Sequence, residues 1–175
     1  MSVISSHNSS NPCSACLVNK THKLSFSVST VVSSKPLEII YSDVWSSPII
    51  SKDGYKYYVL FVDHFTKYMW LYPLKLKSDV HAVFNRFKPL VENFFKNSII
   101  SLYSDNGGEY IALRKTLASH GISHFTTPLH TPEHNGVSEC HHRHIVEIGL
   151  SLLTHASLPL TFWSYVFTTA VYLIN

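Results

Sequence analysis

Three cysteines in 175 residues are too few for a disulfide framework, which points to a reducing compartment. Charge is scarce too: Asp, Glu, Lys and Arg make up 14% of the chain, and the formal net charge is only +3. So mild a basicity permits an acidic partner without naming one. The opening residues, MSVISSHNSS, lack a basic n-region and an apolar h-region, so no secretory signal is read there. No bilayer-spanning run is found either. The most apolar stretch, 160–174, is shorter than the roughly 18–20 residues a span needs and is interrupted by Thr161, Ser164, Thr168 and Thr169. A Ser-His-Asp or Cys-His arrangement for nucleophilic catalysis is also missing.

What is present is apolar and aromatic. Hydrophobic residues account for 45% and aromatic residues for 13%, which suits one globular domain with a real core and excludes a disordered tail. Residues 1–35 are polar and rich in Ser, Asn and Thr around the Cys13-x-x-Cys16 pair, and read as a small ordered fragment followed by a linker. From residue 36 the composition changes. Runs 37–44, 57–62 and 68–74 read as strands, the last two as an antiparallel hairpin across DHFTK. Apolar positions 80, 83, 84, 87, 90, 91, 94 and 95 have helical spacing. A fourth strand over 99–103, a short helix over 110–119, a strand over 122–126, a long helix over 137–155 and a last apolar helix complete a mixed α/β order. The segment 128–136, with two prolines and Asn135-Gly136, reads as a loop before the long helix.

Two acids share one context: Asp43 and Asp105 each close an apolar run and follow Tyr-Ser, in YSDV and YSDN. Each alone could cap a turn. Together, at neighbouring strand ends, two carboxylates repel unless cations sit between them, and Mg²⁺ takes such hard oxygen ligands. A third acid, Glu139, stands in the first turn of the long helix, where it also suits the helix dipole. Val137, His141, Ile145, Ile148 and Leu152 form the face expected to pack on the sheet, which turns Glu139, His142 and Arg143 away from it. Asp53, Asp63, Glu109, Glu133 and Glu147 read as structural, Glu109 as a helix start.

The motifs YSDVW, VDHFTKYMWLYPL, LYSDNGGEY, TTPLHTPEHNGVSE and HRHIVEIGL, in that order, resemble the catalytic core of copia-type retrotransposon integrases of plant elements. The resemblance implies a ribonuclease-H-like fold, a mixed sheet flanked by helices. It implies a D, D, E triad at Asp43, Asp105 and Glu139 binding two Mg²⁺ or Mn²⁺ ions, for 3′-end processing and strand transfer on DNA. Element ends and target DNA would be the partners, with Asn135, His142, Arg143 and Lys115 as DNA contacts, and the nucleus the compartment. Residues 1–35 would be the remnant of an N-terminal zinc module plus linker, with Cys13 and Cys16 as zinc ligands. Residues 36–175 would be the core, cut short within its last helix. Exposure of Phe162, Trp163, Phe167 and Leu173 there is expected to drive self-association. The alternative is a retroelement remnant that folds and binds nucleic acid or metal without productive catalysis. A third reading is a binding module whose three acids are only caps.

Overall fold

The computed structural model describes residues 32–126 and 132–175, the stretch 132–139 by its backbone only. The N-terminal segment holding Cys13 and Cys16 lies outside the described residues. Five strands form one sheet in the order β3-β2-β1-β4-β5: β1 (Ile39–Ser46), β2 (Tyr57–Asp63), β3 (Met69–Leu74), β4 (Ser101–Ser104) and β5 (Ser123–Thr126). β1, β2 and β3 run antiparallel as a meander, and β4 and β5 add parallel to β1.

The helices cover both faces. After a short 3₁₀ turn comes α1 (Val80–Phe95), then α2 (Gly108–Ser119) between β4 and β5, α3 (Pro132–His155) and α4 (Trp163–Ile174). β2 explains why its run YYVLFV is apolar without alternation. Val59 and Phe61 face the core under α1 and α2, whereas Tyr58, Leu60 and Val62 face the core under α3 and α4. A strand buried on both sides needs apolar residues at every position. On the α1 side Phe61 stacks on Phe87, ring centroids 4.2 Å apart and nearly parallel, while Phe84 and Val91 fill in around them. Asp63, fully buried at the end of β2, accepts hydrogen bonds from the Leu37 N–H (2.8 Å), the Thr66 N–H (2.8 Å) and the Thr66 hydroxyl (2.7 Å). This acid is structural: it pins the hairpin corner and the entry to β1.

Three expectations change. The long helix begins at Pro132 and not at Val137, so Asn135-Gly136 lies inside α3. Proline is well suited to a first helical position, where its fixed φ helps and its missing N–H is no loss. The buried face of α3 is carried by His142, Ile145 and Leu153 around Gly149, about one position round from the predicted face, while His141 is only partly buried. Gly149 is the cause: without a side chain it lets the Phe167 ring of α4 rest against α3 there. Finally, Trp163 and Phe167 are 3% and 2% exposed, because α4 folds back onto the sheet; the apolar surface it leaves open is Tyr165, Tyr172 and Leu173. Among the described residues no helix is long and apolar enough to cross a membrane.

His141 predicts an acid-labile fold. Burial, then the neighbouring Lys67, His142 and His144, hold its imidazole down to about 4. In the unfolded chain it titrates near pH ~6.5. The stability it supports is therefore intact above that pH and drains away as the pH falls towards 4. The loss is on the order of 2–3 kcal/mol. Urea titrations at pH 7 and pH 4.5 should show a smaller acid loss in His141→Gln than in the wild type.

Candidate active site

The register of β1 on β4 places the repeated triplets side by side. Tyr41 pairs with Tyr103 across the parallel ladder. Continuing two residues along each chain brings Ser42 beside Ser104 and Asp43, which lies within β1 and not at its end, beside Asp105, the first residue after β4. Tyr41 and Tyr103 both belong to the face covered by α3 and α4. Side chains alternate along a strand, so the two aspartates point to that same face. Ser42 points to the other face, where its hydroxyl shares a 2.7 Å hydrogen bond with the buried Tyr110 hydroxyl of α2. The Tyr-Ser-Asp triplet on β1 thus has its own division of labour: tyrosine for the core, serine to lock α2 and aspartate for the site.

The two carboxylates differ electrostatically. Burial pushes Asp43 up, but the His142 imidazole, the Val44 N–H and Lys77 outweigh it and hold the carboxyl below its ordinary value. Asp43 Oδ1 accepts the Val44 N–H at 2.8 Å, and Oδ2 lies 3.1 Å from His142 Nε2. That second contact is off-axis, at ion-pair distance without a straight hydrogen bond. Asp105 is raised, by burial first and then by the charges of Asp43 and Glu109, with the Gly107 N–H and Lys77 opposing. Its Oδ1 accepts that N–H at 3.0 Å, which folds the Asp-Asn-Gly turn. The part of that rise due to Asp43 and Glu109 shows that the three carboxylates are close enough to repel one another. Lys77 is the cation at hand, 3.5 Å from Glu109. Hard oxygen donors gathered in this way fit a divalent cation.

Gly107 lies so close to this cluster that the carboxylates leave no room for a side chain. A Cβ there would sit 2.9 Å from the Glu109 carboxylate and 3.0 Å from Asp105 Oδ1. Its φ of −61° is ordinary, so Gly107→Ala strains no backbone. Both neighbours are ends of side chains that can swing away. The expected result is a thermal midpoint within about 2 °C of wild type, together with weaker divalent-cation binding in calorimetry because both carboxylates are displaced.

The sequence-predicted residues fall out as follows. Asp43 and Asp105 come together. Glu139 lies in the first turns of α3, one helical turn before His142, which touches Asp43; its side chain, like that of Asn135, lies outside the described residues. His142, expected on the surface against phosphate, is instead 7% exposed, with Nδ1 2.8 Å from the Tyr58 hydroxyl. The rotated packing face of α3 turns it inward. Arg143 is partly buried, its guanidinium 3.9 Å from the Cys140 sulfur, and Lys115 is exposed on α2. Sequence reasoning missed Lys77, which no motif marks, and Tyr58, hidden in an apolar run. It also passed over Arg114, whose guanidinium reaches back 3.0 Å to Asn106 in the loop after Asp105. Glu109 does open α2 as expected, yet its carboxylate also faces the cluster.

Comparison with known proteins decides the family. Residues 33–132, which include both aspartates, match the family described as "Integrase core domain". The chain belongs to that family. This integrase core is 68% identical over 163 residues to the "Retrovirus-related Pol polyprotein from transposon RE2" of Arabidopsis thaliana, covering 93% of this chain and 11% of that polyprotein. It is of the copia type. The chain thus spans about a tenth of the length of that relative. Among solved structures, a chain of the simian T-cell lymphotropic virus intasome in complex with PP2A regulatory subunit B56 gamma superposes with a TM-score of 0.66 at 17% identity, covering 93% of this chain and 57% of its own. The HTLV-2 integrase catalytic core domain, solved in complex with magnesium in a trimeric form, gives 0.57 at 17% identity, covering 81% and 86%. The fold of this integrase core is ribonuclease-H-like, as the motifs implied.

Proposed function

We propose that this integrase core binds DNA and carries out metal-dependent phosphoryl transfer, trimming an element's 3′ end and joining it to target DNA. The observation that carries the reading is the β1–β4 register, which sets Asp43 beside Asp105, whose carboxyl is raised by burial and then by the charges of Asp43 and Glu109. Asp43, Asp105 and Glu139 would hold two Mg²⁺ or Mn²⁺ ions. Such ions, when bound, activate an attacking oxygen and stabilise the leaving oxygen at phosphorus. The chain's own part is to hold Asp43 within β1 and Asp105 directly after β4, side by side on one face of the sheet. The exposed Lys115 and the partly buried Arg143 would steer the phosphate backbone. Asn135, next to the catalytic turn of α3, would contact the DNA end. The open Tyr165, Tyr172 and Leu173 of α4 support self-association, and a chromosomal target would make the nucleus the compartment. Cys13 and Cys16 remain proposed zinc ligands.

The test is Mn²⁺-dependent disintegration of a branched DNA by the 175-residue chain. It should disappear in Asp43→Asn, Asp105→Asn and Glu139→Gln; survival in Asp105→Asn would sink the assignment. Metal binding without turnover would instead identify a remnant that keeps the site and has lost the reaction.

A further inference from the structure

We propose that His142, held by Tyr58, is a positioning residue that presents Asp43 to its metal; this rests on the reading of Asp43 as a metal ligand. Three elements meet here: Tyr58 on β2, His142 on α3 and Asp43 on β1. The Tyr58 ring cannot turn aside, since it stacks on Trp45 with centroids 5.1 Å apart and abuts Trp163 and Phe167 at 6.2 and 6.0 Å. Its hydroxyl is fully buried, and among the described residues its hydrogen bond goes to His142 Nδ1 at 2.8 Å.

That contact assigns the tautomer. A buried hydroxyl must place its proton on an acceptor. Tyr58 therefore donates to a bare Nδ1, and the neutral ring carries its proton on Nε2. Nε2 is the atom 3.1 Å from Asp43 Oδ2. A protonated Nε2 has no lone pair for a metal, so His142 turns its N–H side to the carboxylate, at ion-pair distance, and is not a ligand beside it. At 7% exposure it is no phosphate contact either. The Asp43 carboxylate then has a neighbour at each oxygen: the Val44 N–H hydrogen-bonded to Oδ1, and the His142 Nε2 off-axis at 3.1 Å from Oδ2. Its rotation about χ2 is held from both sides, and its remaining lone pairs are left for a cation. The same contact fastens α3, and with it the turn that carries Glu139, to the strand that carries Asp43. Partners that orient a metal ligand in this way typically contribute 10–100-fold in metal affinity.

The experiment measures Mn²⁺ binding by calorimetry to the 175-residue chain and its variants, each checked for folding by circular dichroism, and reads the His142 tautomer by ¹⁵N NMR. His142→Leu should weaken Mn²⁺ binding about 10–100-fold. His142→Gln, whose amide N–H falls near the Nε2 position, should restore it to within about threefold, a rescue that a merely space-filling role does not predict. Wild type should show the Nε2–H tautomer, and Tyr58→Phe should let the Nδ1–H form appear. Unchanged affinity in His142→Leu, with Asp43→Asn abolishing binding, overturns the positioning role and leaves the metal assignment standing. Unchanged affinity in Asp43→Asn removes the metal assignment and the positioning role with it. An Nδ1–H tautomer in the wild-type protein overturns the relay without any variant, so a failure of His142→Leu to fold does not shelter it.

Discussion

Asp105→Asn is expected to abolish the proposed Mn²⁺-dependent disintegration of branched DNA while leaving the metal-free fold at least as stable as wild type. The two effects have one origin. Burial and the charges of Asp43 and Glu109 raise the Asp105 carboxyl above its ordinary value. A raised folded-state value means that the group's contribution to stability is present below the unfolded value, near ~3.9. It is lost as the pH rises through the folded value. At neutral pH the ionised Asp105 is therefore a liability that asparagine removes. The side chain is exposed, and solvent screening limits the gain to about 1 kcal/mol or less, a rise of about 2–4 °C in thermal midpoint. Asp43→Asn should move the other way. Its carboxyl is held low, so its contribution is present above the unfolded value and is lost on acidification through the folded one. The loss of activity should exceed the ~10–100-fold that a supporting residue contributes, since a proposed metal ligand itself is removed. Thermal melts in chelator, run beside disintegration assays in Mn²⁺, check both halves. A fall in the Asp105→Asn midpoint would mean that the carboxylate is not electrostatically crowded.

What could be read beforehand follows from the range of the physical signal. The repeated Tyr-Ser-Asp is a local pattern, and strand pairing turns it directly into a register, so the neighbourhood of Asp43 and Asp105 was legible in the sequence. The apolar run of β2 announced a strand buried on both faces. The orientation of α3 was not legible, because its helical pattern admits two faces about one position apart. What chooses between them is Gly149, a residue with no side chain to score, through a contact with Phe167 eighteen positions later in the chain. That choice turns His142 inward and converts an expected surface histidine into the buried neighbour of Asp43. Tyr58 was invisible for a similar reason: in a run of apolar residues a tyrosine reads as core, and its hydroxyl matters only once α3 is seen to lie over it. Pro132 reads as part of a loop among its neighbours Pro128 and Asn135-Gly136, although the same residue type is at home in a first helical turn.

Gly149→Ala puts that dependence to the largest test on stability. By helix propensity alone the change should stabilise α3 by about 0.8–1 kcal/mol. The new methyl carbon, however, would lie 2.6 Å from Phe167 Cε1 and closer still to Cδ1. The ring has nowhere to retreat, being packed against Trp45, Tyr58 and Trp163 at centroid distances of 5.7, 6.0 and 5.6 Å. Overpacking of a close-packed core typically costs 1–3 kcal/mol, and here it must move either a helix or an aromatic cluster. The net expectation is a destabilisation of about 2 kcal/mol, a midpoint lower by roughly 4–8 °C. Phe167→Leu should itself destabilise by opening a cavity. The double variant should be more stable than the sum of the two singles by more than the ~0.5 kcal/mol within which independent sites add. Because Phe167 touches Tyr58 and Tyr58 holds His142, Gly149→Ala should also disturb the His142 ¹⁵N signal, coupling a packing defect on α3 to the orientation of Asp43. A midpoint raised by Gly149→Ala would show that α4 does not dock on α3 at this point, and the inward turn of His142 would lose its cause.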